Sequence, residues 1–154
     1  MLKKYPCTMQ HDQSDCAAAV VSTVLLSYKK ELSIMKIREI IGTDMYGTTV
    51  SGIVSGLNKL NFTVKAVRVA LEDLTPKLTF PAILQVKNDL GQNHFVVLHS
   101  IKRNSKFYVA DPASGIRKMS SDELGEMLVA FGAIGAIVML GFKNRYYALV
   151  TGRG

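Results

Sequence analysis

The sequence predicts an α+β domain in which an N-terminal helical half packs on a mainly antiparallel β-sheet half. In the first half, apolar residues recur at helical spacing behind N-cap residues, whereas the second half contains runs rich in β-branched and aromatic residues. No repeat or Pro/Gly-rich linker divides the 154 residues, and their 48% hydrophobic content suits one buried core. We therefore expect one domain.

The first helix is predicted to begin at Cys16, directly after the polar stretch QHDQSD. Ser14 or Asp15 can serve as its N-cap, and the helix can run to about Lys30. Apolar residues lie on every side of this helix, which is typical of a helix at the centre of a domain. We expect it to be buried.

Two more helices are predicted before the chain changes to strands. Ser33 can cap a helix over residues 34–41, which Gly42 ends. A loop over residues 43–49 leads to a third helix near residues 50–60. The strands predicted after it cover residues 62–69, 82–86, 95–101, 106–110 and 134–140, with a further helix starting at Ser120.

The charge and the uncharged runs exclude several function classes. The net charge is +7, but the basic residues come singly or in pairs, so we expect no nucleic-acid binding. The positive charge can still attract an acidic peptide. The uncharged runs over residues 16–28 and 127–142 are shorter than the roughly 20 residues that span a bilayer. We expect no direct membrane insertion.

The cysteines do not indicate a metal or redox site. Cys7 and Cys16 are too few for a disulfide framework and lack metal-ligand spacing, which favours a reduced, cytosolic protein. The N-terminus shows no signal peptide, and no Walker-type phosphate loop occurs. We expect neither a metal nor a cofactor.

Cys16 is the first residue that suggests chemistry. At the N-terminus of a helix, unpaired N–H groups and the helix dipole stabilise an anion such as a thiolate. Taken alone, Cys16 can equally be a small buried core residue. Gln10, upstream in the polar loop, adds an amide that can hold an oxyanion together with a backbone N–H, although a loop glutamine is usually only a polar surface residue.

A base for Cys16 is available in the sheet half. His94 and His99 lie in or beside the strand HFVVLHSI, and Asp111 ends the next strand. If a loop of two or four residues joins these strands, alternation places His94 on the face of Asp111 and His99 on the other. A β-bulge would change this relation. The resulting set suits acyl transfer by a thiolate, with histidine as base and then as acid: Gln10, Cys16, His94 and Asp111.

The motifs QHDQSDC, HFVVL and DPASG, in this order, resemble the N-terminal peptidase domain of bacterial peptidase-containing ABC exporters. These are papain-like cysteine peptidases that remove double-glycine leaders from bacteriocin, lanthipeptide or pheromone precursors. The resemblance implies a papain-like fold with Cys16 as nucleophile, His94 as base, Asp111 as orienting group and Gln10 as oxyanion-hole donor. Ala17 stands where the family usually has glycine, and because alanine is small and favours helices we expect an active enzyme.

The same resemblance implies a substrate class. The substrates would be precursor peptides with acidic, amphipathic leaders, cut directly after Gly-Gly or Gly-Ala. A narrow cleft would admit only small residues beside the cut, and a shallow apolar groove would hold the leader as a helix. Met35, Met45 and Tyr46 are candidate groove residues, although methionines are more often core filler.

The resemblance also implies a domain organisation. Residues 1–140 would form the papain-like peptidase domain, and residues 141–154 would be a linker toward a transmembrane domain, a last strand or an added tail. The transmembrane and ATPase domains of the exporter would be partners, with the peptidase domain on the cytoplasmic side of the bacterial membrane. The alternative is a catalytically silent peptidase-like domain that docks an export substrate, although such relatives typically lack the cysteine.

Overall fold

The helical half is built around one buried helix in the computed structural model, which describes residues 5–103, 105–127 and 133–142. Helix α1 (Cys16–Ser27) follows a short 3-10 turn, and each of its residues from Cys16 to Leu25 is buried. The predicted central helix is therefore confirmed. It ends before Lys30 because Lys29 has a left-handed backbone, with φ of 59°, which a right-handed helix does not accommodate.

The other two helices begin at capping hydroxyls. Ser33 caps α2 (Ile34–Ile41), and Gly42 ends that helix with φ of 74°. Thr49 caps α3 (Val50–Lys59) in the same way. Local capping residues therefore set these helix boundaries. No helix in the described part of the chain has the length and apolar character needed to cross a bilayer.

Gly52 lets α3 pack closely against the end of α2. A Cβ atom built on it would lie 2.4 Å from the carbonyl oxygen of Ile41, and a backbone atom cannot rotate away. We expect Gly52→Ala to lower the free energy of unfolding by about 1–3 kcal/mol, because the clash outweighs the gain in helix propensity.

Urea unfolding of the Gly52→Ala protein measures this effect. Gly125→Ala is the matched control, since the nearest atom to its added Cβ is Leu71 Cδ2 at an ordinary 3.6 Å. The control should unfold at no lower urea concentration than the unsubstituted protein. Equal stability of Gly52→Ala and Gly125→Ala would contradict the close contact.

The second half forms one six-stranded sheet in which every pairing is antiparallel. Together with the three helices this confirms the predicted α+β class. In chain order the strands are β1 (Phe62–Ala70), β2 (Ala82–Lys87), β3 (Asn93–Lys102), β4 (Lys106–Asp111), β5 (Gly115–Met119) and β6 (Ala133–Phe142), with a short helix α4 (Ser121–Gly125) after β5. Their order in the sheet is β1-β6-β2-β3-β4-β5.

Two features of the sheet differ from the sequence prediction. Strand β5 was not predicted, because its five residues include Arg117 and Lys118 and form no apolar or β-branched run. It is an edge strand, where Ile116 is exposed. Strand β6 continues through Phe142, past the predicted end at residue 140, so the first two residues of the predicted tail, 141–142, agree with its last-strand alternative. The remaining residues assigned to that tail, 143–154, lie outside the described residues.

The sheet separates two apolar clusters, because successive strand residues point to opposite faces. The first cluster lies under α1, α2 and α3 and contains Ile83 of β2 and Phe95 of β3. The second lies on the other face and contains the next residues, Leu84 and Val96, with Leu124 of α4. The helical half therefore covers one face, and α1 contacts β3, which also carries His94.

Candidate active site

Cys16 lies where an exposed loop enters the core. It is the first residue of α1, and only 9% of its surface is exposed. The preceding N-terminal segment runs beside it: Gln10 N–H donates to the Pro112 carbonyl at 2.8 Å, and Thr8 N–H donates to Thr23 Oγ1 at 2.9 Å. These bonds join Gln10 to the turn that follows β4 and join its segment to α1.

His94 and Asp111 form a buried pair at the end of the sheet. His94 Nε2 lies 2.8 Å from Asp111 Oδ1, and the two residues are 4% and 5% exposed. The same Oδ1 accepts a hydrogen bond from the Ala113 amide at 2.9 Å, and Arg117 Nη1 lies 3.6 Å from Oδ2. Because Nε2 faces the carboxylate, Nδ1 is the ring nitrogen left to exchange a proton with Cys16.

The route by which the strands bring His94 to Asp111 differs from the prediction. Lys102 pairs with Lys106, so the hairpin loop has three residues rather than two or four. That loop length alone would put His94 and Asp111 on opposite faces. However, the register shifts between Leu98 and Ser100, so that a bulge at His99 restores the shared face. The loop length was predicted wrongly, and the bulge compensates for it.

The electrostatics of the pair favour a charged histidine. Burial lowers the pKa of His94, but hydrogen bonds and charge attraction from Asp111 and Cys16 outweigh it and raise the pKa from 6.5 to about 9. Burial raises the pKa of Asp111, but hydrogen bonds from His94 and the Ala113 amide, with the charges of His94 and Arg117, hold that pKa below its ordinary value. The arrangement therefore stabilises a positively charged His94 beside the Asp111 carboxylate.

The second cysteine, Cys7, is held in its neutral form. Burial, with the negative charge of Asp111, raises the pKa of the Cys7 thiol above its ordinary value. Its Sγ–H donates weakly to the Asp111 carbonyl at 3.6 Å. Cys7 is thus a neutral thiol against the backbone beneath the pair, which is a structural position.

His99 is separate from the candidate site. Its ring stacks on Tyr5 with centroids 4.9 Å apart, and Nε2–H donates to the Pro6 carbonyl at 2.8 Å. It therefore fastens the N-terminal segment to β3, and it does not pair with Asp111. Among the described residues, no group of three or more His, Cys, Asp or Glu side chains could hold a metal.

A polar cavity of about 360 Å³ opens beside the pair and is lined by Gln10, His94, Asp111 and Arg117, among others. The Gln10 side-chain oxygen Oε1 is buried and has no hydrogen-bond partner among the described residues. Such orphaned polar atoms are uncommon and often mark a functional position. The structure thus places Gln10 in the same cavity as His94 and Asp111.

A second cavity, of about 270 Å³, lies on the helix-covered face of the sheet. It is lined mainly by apolar residues of α3 and of four strands, among them Val50, Ile83, Phe95 and Ile137. Sequence reasoning missed it because its lining residues are far apart in the chain. The predicted groove residues Met35, Met45 and Tyr46 do not line this cavity, but all three are strongly exposed on α2 and in the loop after it.

Comparison with known proteins identifies longer relatives that match about three quarters of this chain. Lactococcin-G-processing and transport ATP-binding protein LagD of Lactococcus lactis subsp. lactis is 34% identical over 115 residues, which is 73% of this chain and 16% of LagD. The transport/processing ATP-binding protein MesD of Leuconostoc mesenteroides is 33% identical over 75% of this chain and 16% of its own length. The chain thus spans about a sixth of these relatives.

Solved structures agree with the sequence relatives. The peptidase domain of Streptococcus ComA, described as a bifunctional ABC transporter, has a TM-score of 0.77 at 28% identity, covering 88% of this chain and 98% of that one. A double-glycine-motif protease from an AMS/PCAT transporter, solved with its leader peptide, has a TM-score of 0.75 at 27% identity, covering 88% and 91%. The peptidase C39 family model matches residues 4–128. These matches confirm the resemblance drawn from the motifs: the chain belongs to the peptidase C39 family, a family of cysteine peptidases.

Proposed function

We propose that this domain is a leader peptidase, a cysteine endopeptidase that cuts precursor peptides after Gly-Gly or Gly-Ala as part of an ABC exporter. One observation carries the proposal: Cys16 begins a buried helix and interacts with a His94 whose other nitrogen binds Asp111. Membership of a family of cysteine peptidases supports it. LagD and MesD are processing and transport proteins, which supports the exporter context.

In the proposed mechanism, the Cys16 thiolate attacks the carbonyl carbon of the residue before the cut. The Gln10 amide and the backbone N–H of Cys16 hold the oxyanion. His94 then gives its Nδ1 proton to the leaving amine, and the acyl-enzyme is hydrolysed by a water that His94 activates. Asp111 keeps the imidazole oriented and stabilises its charged form.

The leader is proposed to bind on the apolar surfaces near this site. The cavity beside Phe95 offers an apolar floor, and Met35, Met45 and Tyr46 are exposed side chains that an amphipathic helix can cover. The net charge of +7 favours an acidic leader.

The proposed exporter context also implies domain boundaries, partners and a location for this chain. Residues 1–140 are proposed as the peptidase domain, with β6 extending it to Phe142, and residues 143–154 as the connection toward the transporter. Transmembrane and ATPase domains of the same exporter are the proposed partners. The proposed location is the cytoplasmic side of the membrane.

Mass spectrometry of a precursor peptide tests this function. The peptide carries an acidic, amphipathic leader ending in Gly-Gly, and the matched control peptide replaces the last glycine with valine. We expect one cut after Gly-Gly and none in the valine peptide, because the proposed cleft admits only small residues next to the cut. Leader binding without any cut under reducing conditions would instead indicate a silent docking domain.

A further inference from the structure

Asp15, the residue directly before Cys16, carries a buried carboxylate that the mechanism above does not use. It is 6% exposed, and its partner is Arg38 of α2, whose guanidinium Nη1 donates to Asp15 Oδ1. The charge of Arg38 also reaches Asp12, whose pKa is lowered chiefly by hydrogen bonds from Ser14 and additionally by Arg38. Arg38 of α2 thus attracts both carboxylates in the turn that leads to Cys16.

The Asp15 carboxylate occupies the N-cap position of α1 without capping it. Aspartate is among the preferred N-caps, because its side chain accepts hydrogen bonds from the free N–H groups of the first helical turn. Ser33 and Thr49 do this for α2 and α3, whereas Asp15 makes no such bond to α1. Its carboxylate is instead paired with Arg38.

We propose that Arg38 is a positioning residue for the reaction. Its ion pair holds the Asp15 carboxylate away from the first turn of α1 and compensates the charge of that carboxylate. The free N–H groups at this helix end then stabilise negative charge on Cys16. The inference rests on the proposed function, because it concerns the same nucleophile. Without Arg38, the carboxylate would lie unpaired beside Cys16, where it would repel a thiolate and compete for the N–H groups that stabilise it.

The other charged groups around Cys16 do not compensate the charge of the Asp15 carboxylate. Cys16 meets His94 from β3, whose charge is balanced by Asp111 from β4, and Cys7 from the N-terminal segment is neutral. In α3 the charged residue is Lys59, at the last position. The remaining charged residues of α2 are Lys36 and Glu39, which are exposed and lie 4.0 Å from each other. Arg38 is therefore the cation that offsets Asp15, and at Asp12 the charge of His11 acts beside it.

The pH dependence of Cys16 alkylation by iodoacetamide tests the proposal in the free protein, with mass mapping to separate Cys16 from Cys7. In Arg38→Met we expect the alkylation midpoint to rise by about one pH unit, the size of effect that a nearby like charge produces. In peptide cleavage the acidic limb of the kcat profile should move to higher pH by the same amount, because the thiolate is the attacking form, with KM within about twofold. The double variant Asp15→Asn/Arg38→Met should return the midpoint toward that of the unsubstituted protein.

Two more variants separate this role from a structural one. Lys36→Met removes the same charge from the same helix at an exposed position and should leave the midpoint unchanged. Asp15→Asn keeps the proposal testable if Arg38→Met does not fold, because it removes the buried carboxylate itself. This variant should lower the alkylation midpoint of Cys16. An unchanged midpoint in folded Arg38→Met, or in Asp15→Asn, would overturn the proposal, as would a double variant as impaired as the single one.

The alkylation readout needs no leader, so the two proposals can fail separately. If the unsubstituted protein cuts no leader but the midpoints move as expected, only the peptidase proposal fails. If it cuts the leader and the midpoints stay fixed, only the role of Arg38 fails.

Discussion

Replacing Cys16 with alanine is expected to abolish leader cleavage while the domain stays folded. Loss of a catalytic nucleophile lowers kcat on the order of 10⁶-fold, because the remaining groups only bind and polarise the substrate. Cys7 cannot take over, since burial and Asp111 keep its thiol neutral. Alanine fits the site, because Ala17, Ala18 and Ala19 already occupy the next positions of the buried helix.

Initial rates by mass spectrometry measure this loss, and circular dichroism shows that α1 and the sheet persist. Cys7→Ala is the matched control, because it removes the other thiol and should retain most of the activity. The Cys16→Ala protein should also bind the leader as tightly as before, since the apolar surfaces proposed for the leader are unchanged. Cleavage by Cys16→Ala at the original rate would show that another group is the nucleophile.

The second large effect is expected from Asp111→Asn. The carboxylate accepts the Nε2–H bond of His94, and with Cys16 it raises the pKa of that histidine to about 9. The proposed mechanism needs a protonated His94 beside a thiolate, so activity should fall as the pH rises through about 9. Asparagine keeps the shape but removes the charge, whereas burial, which lowers the pKa of His94, remains. The basic limb should therefore move to lower pH.

The same variant should lower kcat/KM by about 10²- to 10⁴-fold, because the amide no longer holds His94 in the orientation and charge state that the reaction needs. The pH profile of kcat/KM measures both effects. Asp89→Asn is the matched control, because Asp89 lines the same polar cavity but is exposed. Its basic limb should stay near that of the unsubstituted protein. A basic limb that Asp111→Asn leaves in place would mean that the proton belongs to a group other than His94.

Features determined by neighbouring residues were predictable from the sequence. Helix α2 begins and ends as predicted because Ser33 satisfies its first N–H groups and Gly42 adopts the left-handed backbone that ends it. Cys16 was expected at the start of a buried helix because the change from polar to apolar residues is local. The three motifs and their order sufficed to identify the family, which the relatives confirm.

Features determined by distant contacts needed the tertiary structure. The bulge that places His94 on the face of Asp111 lies at His99, which is held by Tyr5 and Pro6, more than ninety residues away in the chain. The apolar cavity draws its lining from α3 and four strands, and the ion pair of Asp15 joins the turn before α1 to α2. Sequence alone determined the elements and the order of the candidate residues, because capping and periodicity act over a few positions. Only the packed structure decided the strand register and the charges around Cys16, because these depend on side chains that meet through folding.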